Sequence, residues 1–352
     1  MILADSQRAK QPRSHSKGWL FCMFAVLSLA ACTREQASVQ LSGVCMGTTW
    51  HVTYIEPPAG SDPAALQRGI EQRLEQVESS MSTYREDSEI TRFNASAPHR
   101  WFEVSSDFYT VLSTAMVVGR ESHGAFDVTV APLVDLWGFG PGRVVDVPPE
   151  QELIAQLVSQ VGQDNLRLDG ESRAVMKLTE LSLDFSSLAK GYAVDLVSLW
   201  LLEQGVGRFL VEVGGEVRLS GASGRGDPWR LAIEQPESGR RSIATAISLT
   251  DVAVATSGDY RNFFEVDGRR YSHSIDPRTG RPVEHDLASV TVVHPSAMLA
   301  DAWATALTVI GAEQGMMVAQ AQGLAVYFIR SSGGEFSSSH SAAFARYLDA
   351  AQ

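Results

Sequence analysis

The residues from Tyr271 to Pro282 hold one histidine, His273, one acid, Asp276, and two arginines, Arg278 and Arg281. The Asp276-Pro277 and Thr279-Gly280 steps read as turns, which place such side chains at a loop tip rather than in a core. Histidine titrates closest to neutral pH, so His273 is the candidate for proton transfer. On its own the loop defines a reactive turn without a reaction.

Two further groups could complete a site. Asp301 and Thr305 stand four apart in an apolar helical pattern beginning near Ala297. That spacing puts a carboxylate and a hydroxyl on one face, both hard oxygen ligands suited to Mg²⁺. Spacing alone favours a plainer account: an acid near a helix N-terminus and a threonine bonding back to a carbonyl. The run Asp184-Phe185-Ser186-Ser187-Leu188-Ala189-Lys190-Gly191-Tyr192 leads into another helix. Ser186 or Ser187 is placed to cap it, the exposed N–H groups favour an anion, and Lys190 adds a positive charge. Taken alone, the run favours the plainer account of a capped helix with a surface lysine.

Other runs exclude chemistry. Gly138 to Gly142 and Gly221 to Gly226 lack the spacing of a dinucleotide fingerprint or a Walker A loop. Glu212-Val213-Gly214-Gly215-Glu216 reads as two strands meeting at a Gly-Gly turn, with acids expected in solvent. No Gly-x-Ser-x-Gly elbow or His-Glu-x-x-His pair is present, so serine-hydrolase and zinc-protease readings lack support.

The elements that must position these groups follow from periodicity. Strands are expected at 39–44 and 49–55, and a helix from Pro63 to Met81 on Leu66, Ile70, Leu74 and Val77. Helices are expected at 106–121, 150–161, 187–204, 297–310 and 312–322. Strands are expected at 166–168, 174–178, 181–185, 208–213, 216–219, 229–234, 245–249, 252–256, 288–293 and 325–329. The mixture lacks strict βαβ alternation, so the fold class is α+β.

The first 31 residues read as a leader. Arg8, Lys10, Arg13 and Lys17 precede an apolar stretch from Trp19 to Ala31, and Leu29-Ala30-Ala31-Cys32 is similar to a bacterial lipobox. In that class the chain is cut before Cys32 and its thiol is lipidated. With Cys22 removed and Cys32 acylated, Cys45 is the last of the three cysteines, so no internal disulfide and no multi-thiolate zinc site is available. The leader carries four basic residues and one acid, so the chain's net −12 becomes about −15 in the mature part. That charge argues against nucleic acid and against a polybasic membrane patch. Residues 32–38 are left as a short lipidated tether.

Taken in order, the motifs resemble those of the ApbE family across nearly the whole mature chain, residues 39–352. They are Met46-Gly47-Thr48-Thr49-Trp50, Met81-Ser82-Thr83-Tyr84 with Ser88-Glu89-Ile90, and Gly124-Ala125-Phe126-Asp127-Val128-Thr129. Pro132-Leu133 with Trp137 to Gly140, the run Asp184 to Tyr192, Gly214-Gly215-Glu216, Thr256-Ser257-Gly258, the His273 loop and Asp301 to Thr305 follow.

The resemblance implies a mixed-sheet fold with packed helices and an FAD cleft between two subdomains. It implies an FAD:protein FMN transferase that splits FAD at the pyrophosphate, joins FMN to a threonine or serine hydroxyl and releases AMP with Mg²⁺. By the same resemblance Asp301 and Thr305, with a main-chain oxygen near Ser187, hold Mg²⁺. Met46, Tyr84, Ala125, Phe126, Asp127, Asp184, Lys190 and Ile275 line the FAD site, and His273 is the general base. Many members carry alanine where Ser187 stands, a change a carbonyl ligand tolerates. The implied acceptors are exported or membrane-bound flavoprotein subunits of redox complexes. The implied place is the bacterial envelope, facing the periplasm and lipid-anchored to the inner or outer membrane. FAD pyrophosphatase and non-catalytic flavin carrier remain the alternatives.

Overall fold

Alternating burial along Thr48–Ile55 puts Trp50, Val52 and Tyr54 on one covered face, the signature of a strand with a core beneath it. The computed structural model describes residues 36–56, 60–140, 147–237, 242–258, 263–266 and 269–349. The expected leader, Cys32 and residues 33–35 of the tether lie outside the described residues, as does Gly142.

The strands are β1 Ser38–Cys45, β2 Thr48–Ile55, β3 Phe102–Glu103, β4 Leu166–Asp169, β5 Ala174–Lys177, β6 Phe209–Val213 and β7 Glu216–Ser220. They continue as β8 Trp229–Gln235, β9 Ser242–Leu249, β10 Ala253–Gly258, β11 Phe263–Val266 and β12 Arg269–Ser272. The last are β13 Ile275–Asp276, β14 Arg281–Pro282, β15 Leu287–His294, β16 Ala325–Ser332 and β17 Glu335–His340. The helices are α1 Pro63–Met81, α2 Glu89–Ala95, α3 Ser106–Glu121, α4 Ala131–Leu136, α5 Gln151–Val158, α6 Ala189–Glu203, α7 Ala297–Ile310 and α8 Ala312–Ala321.

Eight strands form one antiparallel sheet in the order β1-β2-β6-β7-β10-β15-β16-β17. With helices and antiparallel sheets in one body, the fold is α+β, as expected. One face carries the main core, where Val211, Ala253, Val290 and Val292 meet helical residues such as Val194, Ala300 and Leu307. The β8–β9 hairpin covers the other, packing Ile233 and Ile247 with Leu219, Val254 and Val293. Covered on both faces, β15 is buried from Leu287 to Val293, apolar but for Ser289 and Thr291. A third, smaller core joins α4 and α5 to Ile275. Residues 35–352 form one compact unit, and the divisions within it are these apolar cores.

Two expectations fail for local reasons. Leu181 to Phe185 is no strand beyond a single bridge from Ser182 to Val130. The Asn94 side chain takes both backbone groups of Leu183, at 2.7 and 2.9 Å, and Asp184 N–H goes to Val128 O. The helix expected from Ser187 starts at Ala189, and neither Ser186 nor Ser187 caps it; Leu188 occupies the cap without a side-chain bond.

Candidate functional site

The cap of α6 comes from another helix. Asp301, in the second turn of α7, accepts the Gly191 N–H at 3.1 Å, the bond a capping side chain gives to the third helical residue. Asp195 of α6 returns the arrangement: its carboxylate accepts Ala297 N–H at 3.0 Å, Met298 N–H at 3.1 Å and the Ser296 hydroxyl at 2.6 Å. The two helix starts are therefore fixed against each other. Gly191 permits this approach, since a Cβ there would lie 2.3 Å from Ala297 O.

Lys190 leaves the same helix start. Its Nζ donates to Glu216 Oε1 at 2.8 Å and lies 3.8 Å from Asp301 Oδ2. Glu216 is buried, not solvated as its place beside a Gly-Gly turn suggested; the turn lets β7 begin under the helices. Burial first, then the charge of Asp301, pushes Glu216 up to about 8 despite Lys190. Burial also raises Asp301, against the pull of Lys190 and the Gly191 N–H. Burial opposes the charge on Lys190, but Asp301 and Glu216 outweigh it and hold the ammonium protonated. Glu216 Oε2 is buried without a hydrogen bond.

These donors fit a hard cation. Among the described residues no three His, Cys, Asp or Glu side chains gather, so thiolate or imidazole cages are absent there. The Gly191 N–H, spent on Asp301, leaves the Ser187 carbonyl outside the α6 ladder. Thr305 is half-buried and makes no bond back to a carbonyl; Thr308 does that, to Ala304 O at 2.8 Å. A carboxylate, a hydroxyl and a free carbonyl are the donor types Mg²⁺ accepts.

His273 follows β12 and is carried by a run of rings. Trp137 stacks on Tyr271 (5.6 Å between centroids), Tyr271 on Phe264 (5.0 Å), Phe264 lies 5.5 Å from Phe139, and Phe139 meets His273 edge-on at 6.3 Å. The loop beyond is pinned internally. Asp276 Oδ1 accepts the Arg278 N–H at 2.9 Å and Nε at 2.8 Å, and Trp137 Nε1 donates to Gly280 O at 2.8 Å. Asp276 and Arg278 thus shape the turn. Ile275 is buried in the third core.

The remaining expected residues fall in three places. Gly124 lies beside the Arg278 side chain, so the Gly124–Asp127 loop adjoins the His273 turn. Ala125 and Phe126 are 1% and 2% exposed, and Asp127 accepts Thr129 N–H, Thr129 Oγ1 and Gln163 N–H at 2.7–3.0 Å. Asp184 joins this loop to α6, with its carboxylate on the Ser186 N–H at 2.7 Å. Met46 sits at φ 53° on the β1–β2 turn, its N–H on Glu78 Oε2 at 3.3 Å. Two residues on, Thr48 is close enough to Gly214 that a Cβ there would meet both Thr48 and Lys190. Tyr84 stands apart at 75% exposure on the turn after α1, with no side-chain hydrogen bond or ring contact among the described residues.

Sequence reasoning missed Glu216, Asp195 and the aromatic run. The Gly-Gly turn beside Glu216 and the aromatic spacing of Phe264, Tyr271 and His273 were their only local signals.

A half-buried lysine between two buried carboxylates, at a helix start and beside hard oxygen donors, is an arrangement within an α+β fold suited to a phosphate group. The chain belongs to the ApbE family, whose model matches residues 46–328. It is 44% identical to the FAD:protein FMN transferase of Vibrio cholerae over 332 residues, covering 94% of this chain and 99% of that one. It is 38% identical to the protein of that name from Escherichia coli K12, covering 88% of each. The solved flavin transferase ApbE from Vibrio cholerae superposes with a TM-score of 0.83 at 43% identity, covering 89% and 100% of the two chains. The apo flavinyl transferase ApbE of Pseudomonas stutzeri gives 0.83 at 38% identity, covering 90% and 98%.

Proposed function

We propose that this chain transfers FMN from FAD to a threonine or serine hydroxyl of a target flavoprotein and releases AMP. The observation that carries the reading is the Lys190–Glu216–Asp301 cluster at the α6 start, in a chain whose relatives bear that activity in their names. The acceptor oxygen forms a bond to the FMN-side phosphorus, the bond from that phosphorus to the bridging oxygen breaks, and the electron pair leaves with AMP. The hydroxyl proton passes to a ring nitrogen of His273. Lys190 meets the pyrophosphate charge at the start of α6, where the helix dipole favours an anion. Asp301, Thr305 and the Ser187 carbonyl would hold Mg²⁺, which when bound offsets charge growing on the phosphate oxygens. Met46, Tyr84, the Ala125–Asp127 loop, Asp184 and Ile275 complete the FAD site in this reading. The acceptors are exported or membrane-bound flavoprotein subunits, and Cys32 anchors the protein by lipid to the periplasmic side of the envelope.

The test incubates protein lacking residues 1–31 with FAD, Mg²⁺ and an acceptor, followed by mass spectrometry. An FMN adduct and AMP are expected. His273→Ala should slow transfer by roughly 10²–10⁴-fold while flavin fluorescence reports FAD affinity within about twofold of wild type. Equal transfer by the variant removes His273 from the mechanism. Free FMN and AMP without adduct make the enzyme a pyrophosphatase.

A further inference from the structure

The sheet has an opening on the face away from the helices. β10 pairs with β15 along its whole length, from Ala253 opposite His294 to Gly258 opposite Ser289. Toward β7 it pairs only at Ala253 and Val254, because β7 begins at Glu216 directly after the Gly214-Gly215 turn. Among the described residues, the backbone of Thr256 to Gly258 therefore has no strand beside it on that edge. An unpaired edge of this kind templates an added strand.

A cavity of about 550 Å³ lies along this edge, between the sheet and the β8–β9 hairpin. Thr48, Gly215, Ala232, Thr256, Ser289 and Thr291 are in its lining. Ser289 is 2% exposed and its hydroxyl has no partner among the described residues. A buried hydroxyl without a partner is unfavourable, a cost a polar occupant would remove. The lining mixes these hydroxyls with aliphatic side chains such as Val217, Ile233 and Val254 and, among the described residues, holds no aromatic ring on which a flat ring system would stack.

The cavity borders the proposed reaction site at one residue. Its lining includes Gly214, whose Cα region touches both Thr48 and Lys190. Gly258, also in the lining, ends β10, and the chain beyond it leads to β11, β12 and His273. A segment laid along Thr256–Gly258 thus runs toward the turn that separates it from Lys190.

We propose that the acceptor protein binds here as an extended segment, adding a strand to the free edge of β10 and delivering its hydroxyl past the Gly214-Gly215 turn. This rests on the transferase reading. Backbone hydrogen bonds would hold the segment, so recognition would depend on the acceptor's main chain as well as its side chains.

The experiment first screens short synthetic peptides, each with one central threonine, using wild-type protein, FAD and Mg²⁺, and carries the best acceptor forward. Two variants then narrow the cavity from opposite walls at exposed positions, Ala232→Trp on β8 and Thr49→Arg on β2. Either should lower kcat/KM for the peptide by about tenfold or more, mainly through KM, with FAD affinity by flavin fluorescence unchanged. Methylating the peptide's backbone nitrogens one at a time should weaken transfer at alternate residues, the period of a paired strand. Wild-type kinetics in a folded variant overturn the proposal, as does a methylation profile without alternation. A variant that loses FAD affinity assigns the cavity to the flavin and also overturns it. Wild-type protein that cleaves FAD yet modifies no peptide defeats the transferase reading, and the strand-addition proposal falls with it.

Discussion

At the scale of single residues, Glu216 is the group whose state is most altered by its surroundings. Its carboxyl sits against Lys190 with one oxygen unpartnered, and burial followed by the charge of Asp301 lifts it from 4.5 to about 8. A carboxyl raised on folding keeps its proton in the native state over a range where the unfolded chain has lost it. Its contribution to stability is complete below the unfolded value and is lost as pH climbs through the folded one. In metal-free protein, wild type should therefore lose more stability than Glu216→Gln between about pH 5 and pH 8, on the order of 2 kcal/mol. Urea midpoints in the presence of a chelator, taken across that range for both proteins, measure it. Parallel slopes would mean that Glu216 is ionised throughout. In that state the cluster is one cation between two anions, and Lys190 is held by two full charges.

At the scale of elements, the site depends on how α6 and α7 meet. Each helix supplies the acid that caps the other, Asp301 to Gly191 and Asp195 to Ala297 and Met298. Gly191→Ala would place a Cβ within 2.3 Å of Ala297 O and 2.8 Å of Met298 Cα, both backbone atoms that cannot turn aside. The helices must then separate, at a cost of about 1–3 kcal/mol. Denaturant unfolding should show that loss, and transfer activity should fall beyond it because Asp301 moves from Lys190. A variant with full activity would show that the spacing is not needed. This joint also marks the limit of what the sequence discloses. Periodicity located α1, α3, α7 and most sheet strands, because their apolar residues recur within one element. The cap from Asp301 links residues 110 apart, which no local pattern encodes. Ser186 and Ser187 have the right chemistry for a cap, yet Leu188 takes that place with no side-chain bond. Likewise Leu181 to Phe185 has strand composition, but Asn94 claims the Leu183 backbone groups from another element. Of the site, His273, Lys190, Asp301 and Thr305 were legible as residue types. Glu216 was not, since its burial follows from where β7 passes under α6.

At the scale of the whole molecule, the question is where so acidic a body works. Among the described residues no helix is long and apolar enough to cross a membrane. A mature charge of about −15 is repelled by anionic lipid rather than drawn to it. Attachment in the proposed reading therefore falls to Cys32 alone, and β1 opens at Ser38, a few residues further on. Even fully extended, Thr33 to Val39 reaches only about 25 Å at ~3.3–3.6 Å per residue. A body held that close meets membrane-bound acceptors at a high local concentration without any added affinity. Cys32→Ser in the full-length chain, expressed in a Gram-negative host, should move the protein from the membrane to the soluble fraction on centrifugation. Purified, it should transfer FMN to a soluble acceptor peptide at the wild-type rate, because Cys32 precedes the compact unit from residue 35. In intact cells its modification of membrane-bound acceptors, read by flavin fluorescence of gel bands, should fall while total enzyme is unchanged. If the serine variant stays in the membrane fraction, the anchor is not the Cys32 lipid. If it leaves the membrane and modifies membrane-bound acceptors undiminished, the short tether serves retention rather than encounter.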